Sequence, residues 1–238
     1  MKLLLENWRE FVREEMEEPI TTLRIFDFDE TIAHTESETK VWIPGRSKVK
    51  NPEKPDARLK NQKEFEDYMQ GEAGKRGIKT FDPVRDLEAV GYEIDLTDFE
   101  RVVNPEEITI ITDIIRQFPE NSKTYVMTAR RGNSVGPILE YLDEININSS
   151  QIRPIATQGE SKGNVIARMI ANKIMSDGKS NINRVEYYED SDKNIQDVID
   201  KVCNNEKLDE IKPENFELVI KKVVKLEKGY DFQEISCG

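Results

Sequence analysis

Residues 23–31, Leu-Arg-Ile-Phe-Asp-Phe-Asp-Glu-Thr, constrain the fold more than any other part of the chain. Residues 23–28 are apolar enough for a buried parallel strand, and Asp27, Asp29 and Thr31 lie where that strand ends. Ligands of open α/β sheets bind beyond the carboxyl ends of the strands. Two carboxylates there carry a desolvation cost that a cation, a proton or a reaction would justify. The alternative is a strand followed by an Asp-rich capping turn.

Beyond residue 104 the chain alternates between short apolar strands and amphipathic helices. Strands are predicted at residues 124–127, 152–156, 185–188 and 216–224. Helices with one apolar face are predicted within residues 108–118, 135–145, 165–170 and 195–202, with Ser161 as the N-cap of the third. Strands alternating with helices of this length indicate a parallel α/β sheet. The last strand has only alternate apolar residues, so it is predicted to lie at a sheet edge.

Residues 36–103 form a long irregular region between the first strand and the regular part of the chain. A short strand is predicted near residues 41–43 and a surface helix within residues 56–69, which Gly71, Gly74 and Gly77 would end. A simple strand–helix–strand crossover needs far fewer residues, and long structureless loops are rare in compact domains. We therefore interpret residues 36–103 as an inserted cap or flap near the Asp-rich strand end.

Residues 1–20 are predicted to form an N-terminal amphipathic helix, because their apolar side chains recur at helical spacing (Leu4, Trp8, Phe11 and Val12). Pro19 ends this helix, since the residue before a proline disfavours helical backbone. The helix either packs on the core domain or serves as a docking segment for a partner. The pattern is compatible with both interpretations.

The formal net charge of −12 argues against a general nucleic-acid or anionic-membrane binder, because both depend on dense Lys and Arg surfaces. A local pocket for one phosphate group is still compatible with this charge. Cys203 and Cys237 lie far apart with no CxxC pattern, which predicts free thiols in a reducing compartment. With no bilayer-spanning apolar run and no signal-peptide pattern, we expect a soluble cytoplasmic protein, in the host cytoplasm if the source is viral.

Four groups of polar residues follow four successive elements of the predicted core, and all can face the same end of the sheet. They are Asp-Phe-Asp-Glu-Thr at 27–31, the strand Tyr-Val-Met-Thr ending at Thr128, Lys162 at a helix start, and the pair Glu189–Asp190. In this order they resemble the motifs of the haloacid dehalogenase (HAD) superfamily, whose members are mostly magnesium-dependent phosphatases. The resemblance covers residues 21–30 and 104–202.

The resemblance implies a fold and a division of the chain. The fold is an α/β, three-layer, Rossmann-like parallel sheet with a small cap between the first and second motifs. Residues 21–35 and 104–226 would form the HAD-like core, with residues 36–103 as the cap. Residues 1–20 would be the separate N-terminal helix and residues 227–238 a C-terminal tail.

The resemblance also implies a catalytic role for four residues. Asp27 would be the nucleophile that forms an aspartyl-phosphate, and Asp29 would protonate the leaving alkoxide and then activate water. Thr128 would donate a hydrogen bond to a phosphoryl oxygen. Lys162 would neutralise charge on the phosphoryl group and on the nucleophile, because an anion would otherwise approach a carboxylate cluster.

Mg²⁺ is the implied cofactor, because it prefers hard oxygen ligands and keeps several waters. The expected ligands are Asp27, the backbone carbonyl of Asp29, and Asp190. Glu189 departs from the commonest acidic pair of this family, and its longer carboxylate suits a magnesium-bound water. Whether Glu189, Asp192 or Asn194 completes this outer set stays open.

Three further residues are predicted to bind substrate: Thr31, Arg130 and His34. Arg130 follows Thr128 and could reach a second anionic group of the substrate, although an arginine at a helix start is more often on the surface or in a salt bridge. His34 follows the first motif, where family members place a helical turn and a flap, although a lone histidine is more often structural.

The predicted function is a magnesium-dependent phosphomonoester hydrolase acting on a nucleotide, a sugar phosphate or a polynucleotide phosphate end, the last without support from the net charge. An acid at position 29 favours phosphatase or phosphomutase chemistry. One alternative is therefore a phosphotransferase or phosphomutase of the same fold. Another is a HAD-like binding or assembly protein docked through residues 1–20.

Overall fold

The computed structural model describes residues 20–60, 62–78, 83–176 and 182–236. In chain order its strands are β1 Thr22–Asp27, β2 Ala33–His34, β3 Thr39–Trp42, β4 Ala57–Leu59, β5 Glu93–Asp95, β6 Glu106–Glu107, β7 Ser122–Thr128, β8 Ile152–Ala156, β9 Arg184–Glu189, β10 Glu217–Lys225 and β11 Tyr230–Ser236. Its α-helices are α1 Gln62–Lys75, α2 Pro83–Glu88, α3 Thr109–Ile115, α4 Val135–Glu144, α5 Lys162–Ser176, α6 Asp192–Val198 and α7 Glu206–Asp209. A π-helical turn, Ile199–Cys203, continues α6.

The central sheet has six strands in the order β11-β10-β9-β1-β7-β8. The strands from β10 to β8 are parallel to one another, and β11 pairs antiparallel with β10. Strand β1 lies in the middle, hydrogen-bonded to β7 on one side and β9 on the other. The sheet is therefore mixed and mostly parallel, which confirms the predicted α/β class and agrees with a Rossmann-like arrangement.

Both faces of the sheet are covered by helices, which explains why residues 23–28 are almost continuously apolar. Leu23 and Ile25 pack in a core with α5 and α6 on one face. Phe26 and Phe28 pack in a second core with α3 and α4 on the other face. All four side chains are fully buried, and each such burial stabilises the fold by about 1.5–3 kcal/mol.

The chain changes direction across the sheet next to β1. It first adds β7 and β8 on one side of β1, then crosses back to add β9 and β10 on the other. In open α/β sheets, ligands bind beyond the carboxyl ends of the strands at such a switch point. The last residues of β1 and β9, Asp27 and Glu189, lie at this point.

Residues 36–103 carry a core of their own. Strands β4, β3 and β5 form a three-stranded antiparallel sheet, and Val41, Leu59, Met69, Leu87 and Tyr92 pack between this sheet and helices α1 and α2. The predicted end of the surface helix is wrong, because α1 continues through Gly71 and Gly74 to Lys75. Long-range packing outweighs the roughly 1 kcal/mol that each helical glycine costs relative to alanine.

The C-terminal part corrects two further expectations. Strand β10 is not an edge strand, because β11 pairs along its outer side within the segment predicted as a tail. Cys203 is disulfide-bonded, so the expectation of a free thiol there is wrong. Cys237 and the predicted N-terminal helix lie outside the described residues, apart from Ile20. Within the described ranges, no helix combines the length and apolar character needed to cross a membrane.

Candidate active site

Asp27 and Lys162 form the centre of a buried polar cluster at the carboxyl edge of the sheet. Asp27 ends β1, and Lys162 is the first residue of α5, the helix that packs on the same face of β1. The Nζ atom of Lys162 lies 2.7 Å from Asp27 Oδ1 and 2.7 Å from Glu189 Oε2. The lysine side chain is only 4% exposed, so its ammonium is shielded from bulk solvent and contacts these two carboxylates.

Glu189 is fully buried, and one of its carboxylate oxygens accepts two hydrogen bonds. Its Oε2 accepts hydrogen bonds from Lys162 and from the Tyr187 hydroxyl, and its Oε1 accepts one from the backbone N–H of Ser191 at 3.1 Å. Tyr187 and Glu189 are two residues apart on β9, so they share a face of the sheet. The glutamate is thus held by the sheet and by Lys162 and has little freedom to turn toward a ligand.

Burial and mutual charge interactions shift the pKa values of the ionisable groups in this cluster. Burial and the neighbouring Glu189 carboxylate raise the pKa of Asp27 well above its usual range, against the lowering effect of Lys162. Burial and Glu189 also raise the pKa of the half-buried Asp190 to about 8. Burial opposes ionisation of Glu189, but Lys162 outweighs it and lowers the pKa of that carboxyl. For Lys162, burial is outweighed by Asp27 and Glu189, which raise the pKa of its ammonium.

The same cluster fits a divalent cation. Carboxylate oxygens of Asp27, Glu189 and Asp190 lie within 4.8 Å of one another. When all three are ionised, they carry two more negative charges than Lys162 neutralises, and this repulsion adds to the effect of burial in raising the pKa values of Asp27 and Asp190. All three offer hard oxygen ligands, the type that Mg²⁺ prefers. Since Glu189 is committed to Lys162 and Tyr187, Asp27 and Asp190 have the freer oxygens.

The backbone turn after β1 leaves the carbonyl oxygen of Asp29 without a hydrogen-bond donor among the residues that the structure describes. The N–H of Ala33 donates to the carbonyl of Phe28 at 3.1 Å, and the N–H of Glu30 donates to the carbonyl of Ala33 at 2.9 Å. Glu30 has a left-handed φ of 57°. None of the bonds of this turn uses the carbonyl of Asp29, the third predicted metal ligand.

Lys162 reaches the cluster because the start of α5 is anchored to α6. Asp197 Oδ2 accepts hydrogen bonds from the Ser161 hydroxyl at 2.6 Å and from the N–H of Gly163 at 2.8 Å. Ser161 in turn accepts from the N–H of Asn164 at 3.1 Å, which confirms it as the N-cap. A Cβ on Gly163 would lie 2.4 Å from the carbonyl oxygen of Asp197, so only glycine allows this approach.

Thr128 ends β7 beside β1, with Met127 in register with Asp27. Its side chain is buried, and its hydroxyl oxygen accepts a hydrogen bond from the N–H of Arg130 at 3.1 Å. This bond uses the oxygen as an acceptor and leaves the hydroxyl hydrogen available as a donor.

Asp29 and Arg130 form a bidentate ion pair. Nε of Arg130 donates to Asp29 Oδ2 at 2.9 Å, and Nη2 donates to Asp29 Oδ1 at 2.6 Å. The Arg130 side chain is only 1% exposed, whereas that of Asp29 is 32% exposed. This burial does not support the predicted substrate contact of Arg130, because its guanidinium is enclosed and hydrogen-bonded to Asp29.

The other two predicted substrate-binding residues have different surroundings. Thr31 is fully buried, and its hydroxyl has no hydrogen-bond partner among the described residues. It therefore lies in the protein interior, not at a substrate surface. His34 is about one-third exposed on β2, and its Nδ1 lies 2.5 Å from Glu30 Oε1. Among the described residues, His34 Nε2 has no hydrogen-bond partner, so the prediction for His34 stays open.

Sequence reasoning missed three residues that shape the site: Tyr187, Gly163 and Asp197. Tyr187 could have been found, because residues two apart on a strand share a face and Glu189 was already assigned to the site. Gly163 and Asp197 carried no local signal. Their importance arises only where α5 and α6 meet.

The chain has little measurable similarity to known proteins. No protein-family model and no curated protein matches it. Among solved structures, it aligns with the crystal structure of the Legionella pneumophila effector Ceg4 carrying an N-terminal yeast Hog1p sequence. That alignment has 13% sequence identity, covers 84% of this chain and 86% of the other, and has a TM-score of 0.34. A likeness this weak carries no conclusion about fold family or function.

Proposed function

We propose that this protein is a HAD-type, magnesium-dependent phosphomonoester hydrolase that works through an aspartyl-phosphate on Asp27. One observation carries the proposal: Lys162 Nζ lies 2.7 Å from Asp27 in a buried cluster that also contains Glu189 and Asp190. A nucleophilic carboxylate, a cation beside it and further hard-oxygen ligands meet at the switch point of the sheet. These are the parts that phosphoryl transfer requires, since catalysis there is mainly positioning and charge stabilisation.

The reaction takes place in two displacements. A carboxylate oxygen of Asp27 attacks phosphorus, and the bond from phosphorus to the ester oxygen breaks as the leaving alkoxide takes a proton from Asp29. A water molecule then attacks phosphorus and gives a proton to Asp29, which releases inorganic phosphate and restores the Asp27 carboxylate. Lys162 and the free hydroxyl hydrogen of Thr128 stabilise the charge on the phosphoryl oxygens, and losing one such contact costs on the order of 3–4 kcal/mol in the barrier.

Asp27, Asp190 and the backbone carbonyl of Asp29 would hold Mg²⁺. When bound, the ion would neutralise charge on the transferring phosphoryl group and reduce repulsion between that group and the carboxylates. Glu189 would support this site through Lys162, because its Oε2 is already occupied by Lys162 and Tyr187. The negative charge that the cluster carries when its three carboxyl groups are ionised supports this assignment.

The proposed substrates are phosphomonoesters: a nucleotide, a sugar phosphate or a polynucleotide phosphate end. The folded insert of residues 36–103 supports a substrate that enters beneath a cap, because Ser37 and Arg101, near its two ends, contact Arg130 beside Asp29. A phosphotransferase of the same fold would use the same residues and differ only in the acceptor of the phosphoryl group.

The test is phosphate release from a panel of such esters, measured with Mg²⁺ and then with EDTA. We expect magnesium-dependent release that Asp27→Asn abolishes, with the fold retained as judged by circular dichroism. Asp113→Asn is the control, because Asp113 is 71% exposed on α3 and lies outside the site. Near-normal release by Asp27→Asn would refute the nucleophile. Loss of ester without free phosphate would point to the phosphotransferase instead.

A further inference from the structure

Arg130 is buried beside the proposed general acid and has no exposed surface for a substrate. Its Nε and Nη2 atoms donate to the two carboxylate oxygens of Asp29 at 2.9 and 2.6 Å. Such a planar, bidentate pair fixes the orientation of a carboxylate more strictly than a single hydrogen bond does. Breaking the pair is unfavourable, because the buried guanidinium is then left without its carboxylate partner. The pair therefore determines where the Asp29 carboxylate lies.

The guanidinium is held on its remaining sides by the two ends of the insert. Where the chain enters the insert, Nη2 also donates to the hydroxyl groups of Thr35, the last residue before the insert, and Ser37, each at 3.1 Å. At its end, Nη1 donates to the carbonyl of Arg101, and the ring of Phe99 lies 5.3 Å from the guanidinium carbon. On the core side the ring of Phe28 lies 5.5 Å from the same atom. Arg130 thus links Asp29 to the segment that leads into the insert and to the segment that leads out of it.

The hydrogen bonds distinguish the two oxygens of Asp29. Oδ1 accepts from Arg130 Nη2 and from the Thr35 hydroxyl at 2.9 Å, which occupies both of its lone pairs. Oδ2 accepts only from Arg130 Nε among the contacts found in the described residues. Oδ2 therefore keeps a lone pair that can carry a proton, and the Asp29 side chain is still 32% exposed.

We propose that Arg130 is a positioning residue that acts through Asp29. It holds the Asp29 carboxylate so that proton transfer occurs at Oδ2, and it ties that position to the cap. This inference rests on the proposed phosphatase function. A misplacement of about 1 Å in a catalytic group can lower a rate about 100-fold, so the loss of Arg130 is expected to have an effect of that order.

A double-mutant cycle tests the inference. The variants are Arg130→Gln, Asp29→Asn and the two together, and the readout is kcat/KM for an alkyl and an aryl phosphomonoester. We expect Arg130→Gln to lower kcat/KM for the alkyl ester about 100-fold. In the Asp29→Asn background, the same change should alter kcat/KM by less than about threefold, because a residue that acts through Asp29 has nothing left to position.

The aryl ester adds a readout that a purely structural role would not move. A phenol has a pKa of about 10 and leaves readily without a proton from the enzyme, unlike an alkyl alcohol. The loss caused by Arg130→Gln should therefore be at least about tenfold smaller for the aryl ester than for the alkyl ester. Equal losses for both esters would overturn the inference, as would the same loss with and without Asp29.

Two further variants distinguish a loss of positioning from a loss of folding. Arg130→Lys keeps the positive charge but not the planar fork, so it should fold and show an intermediate loss for the alkyl ester. Arg24→Gln is the matched control, because Arg24 is also buried in the core but lies toward the other end of β1, where it donates to the carbonyl of Ile114. It should keep kcat/KM per folded molecule. If the wild-type protein releases no phosphate, the proposed function fails; if it does but the cycle is additive, only the role of Arg130 fails.

Discussion

The ammonium of Lys162 lies 2.7 Å from Oδ1 of Asp27, with both side chains almost fully buried. The two residues are far apart in the chain and come together because α5 packs against the face of β1 that carries Asp27. The contact gives Lys162 two functions. It balances part of the carboxylate charge in the folded protein, and in the proposed reaction it would place a cation beside the phosphoryl group.

Replacing Lys162 by methionine keeps the side-chain length and removes the charge. Because Asp27 and Glu189 would then be buried without their cation, we expect the free energy of unfolding to fall by about 3–5 kcal/mol. Phosphate release should fall about 100- to 1,000-fold for lack of charge stabilisation. Urea denaturation and the phosphate assay measure the two effects. Lys201→Met, at an exposed position, is the control, and unchanged stability of Lys162→Met would contradict the ion pair.

Gly163→Ala should damage the site while leaving Asp27, Lys162 and Glu189 themselves unchanged. The added Cβ would lie 2.4 Å from the carbonyl oxygen of Asp197, so the start of α5 must shift and Lys162 with it. We expect lower thermal stability and a fall in kcat of about 100-fold with the nucleophile intact. Gly136→Ala is the matched control, since a Cβ on this helical glycine meets nothing within 4 Å. A fully active Gly163→Ala variant would show that α5 tolerates the shift.

Mg²⁺ should stabilise the fold, because it relieves repulsion among Asp27, Glu189 and Asp190. A ligand at 100 times its Kd stabilises the folded state by about 2.7 kcal/mol, so the Tm should rise with Mg²⁺ and fall again with EDTA. Asp190→Asn should remove most of this rise. Asp192→Asn should keep it, because the Asp192 side chain is 80% exposed and pairs with Lys222. A Tm that does not respond to Mg²⁺ in the wild-type protein would argue against the metal site.

The insert should lose stability in acid. Burial opposes ionisation of Asp98, but the hydrogen bond from Arg101 and the charge of Lys40 outweigh it and lower the pKa of this carboxyl below its usual 3.8. The unfolded chain then binds more protons, so the stability that Asp98 contributes is present above about pH 4 and is lost as the pH falls through the folded-state pKa.

Trp42 reports this acid transition, because it is buried at the end of β3, the middle strand of the insert's sheet, and Trp8 is the one other tryptophan of the sequence. In a Trp8→Phe background, fluorescence should show the insert unfolding as the pH falls below about 4. Asp98→Asn should lower stability near neutral pH and flatten the acid transition. Asp67→Asn, on an exposed residue of α1, should change neither. An unchanged transition in Asp98→Asn would assign the acid sensitivity to other groups.

Local sequence patterns determined much of the core. The strand at residues 23–28, the positions of Asp27, Thr128 and Lys162 at element ends, and the Ser161 cap all follow from the residues within one turn or one strand. These features depend on periodicity, burial and capping, which act over short distances along the chain. For the same reason the alternation of strands and helices was sufficient to predict the α/β class.

The features that the sequence did not reveal depend on contacts between distant segments. For Arg130 the sequence left a substrate contact and a salt bridge open, and it did not identify Asp29 as the partner that the folded chain places against the guanidinium. Strand β10 was predicted at a sheet edge, but β11 pairs along its outer side. Gly71 and Gly74 were predicted to end a helix, but they lie within α1, which packs on the core of the insert. No local pattern encodes these partners. Only the tertiary structure decided them, because burial and hydrogen bonding across the fold outweigh preferences that are each worth about 1 kcal/mol or less.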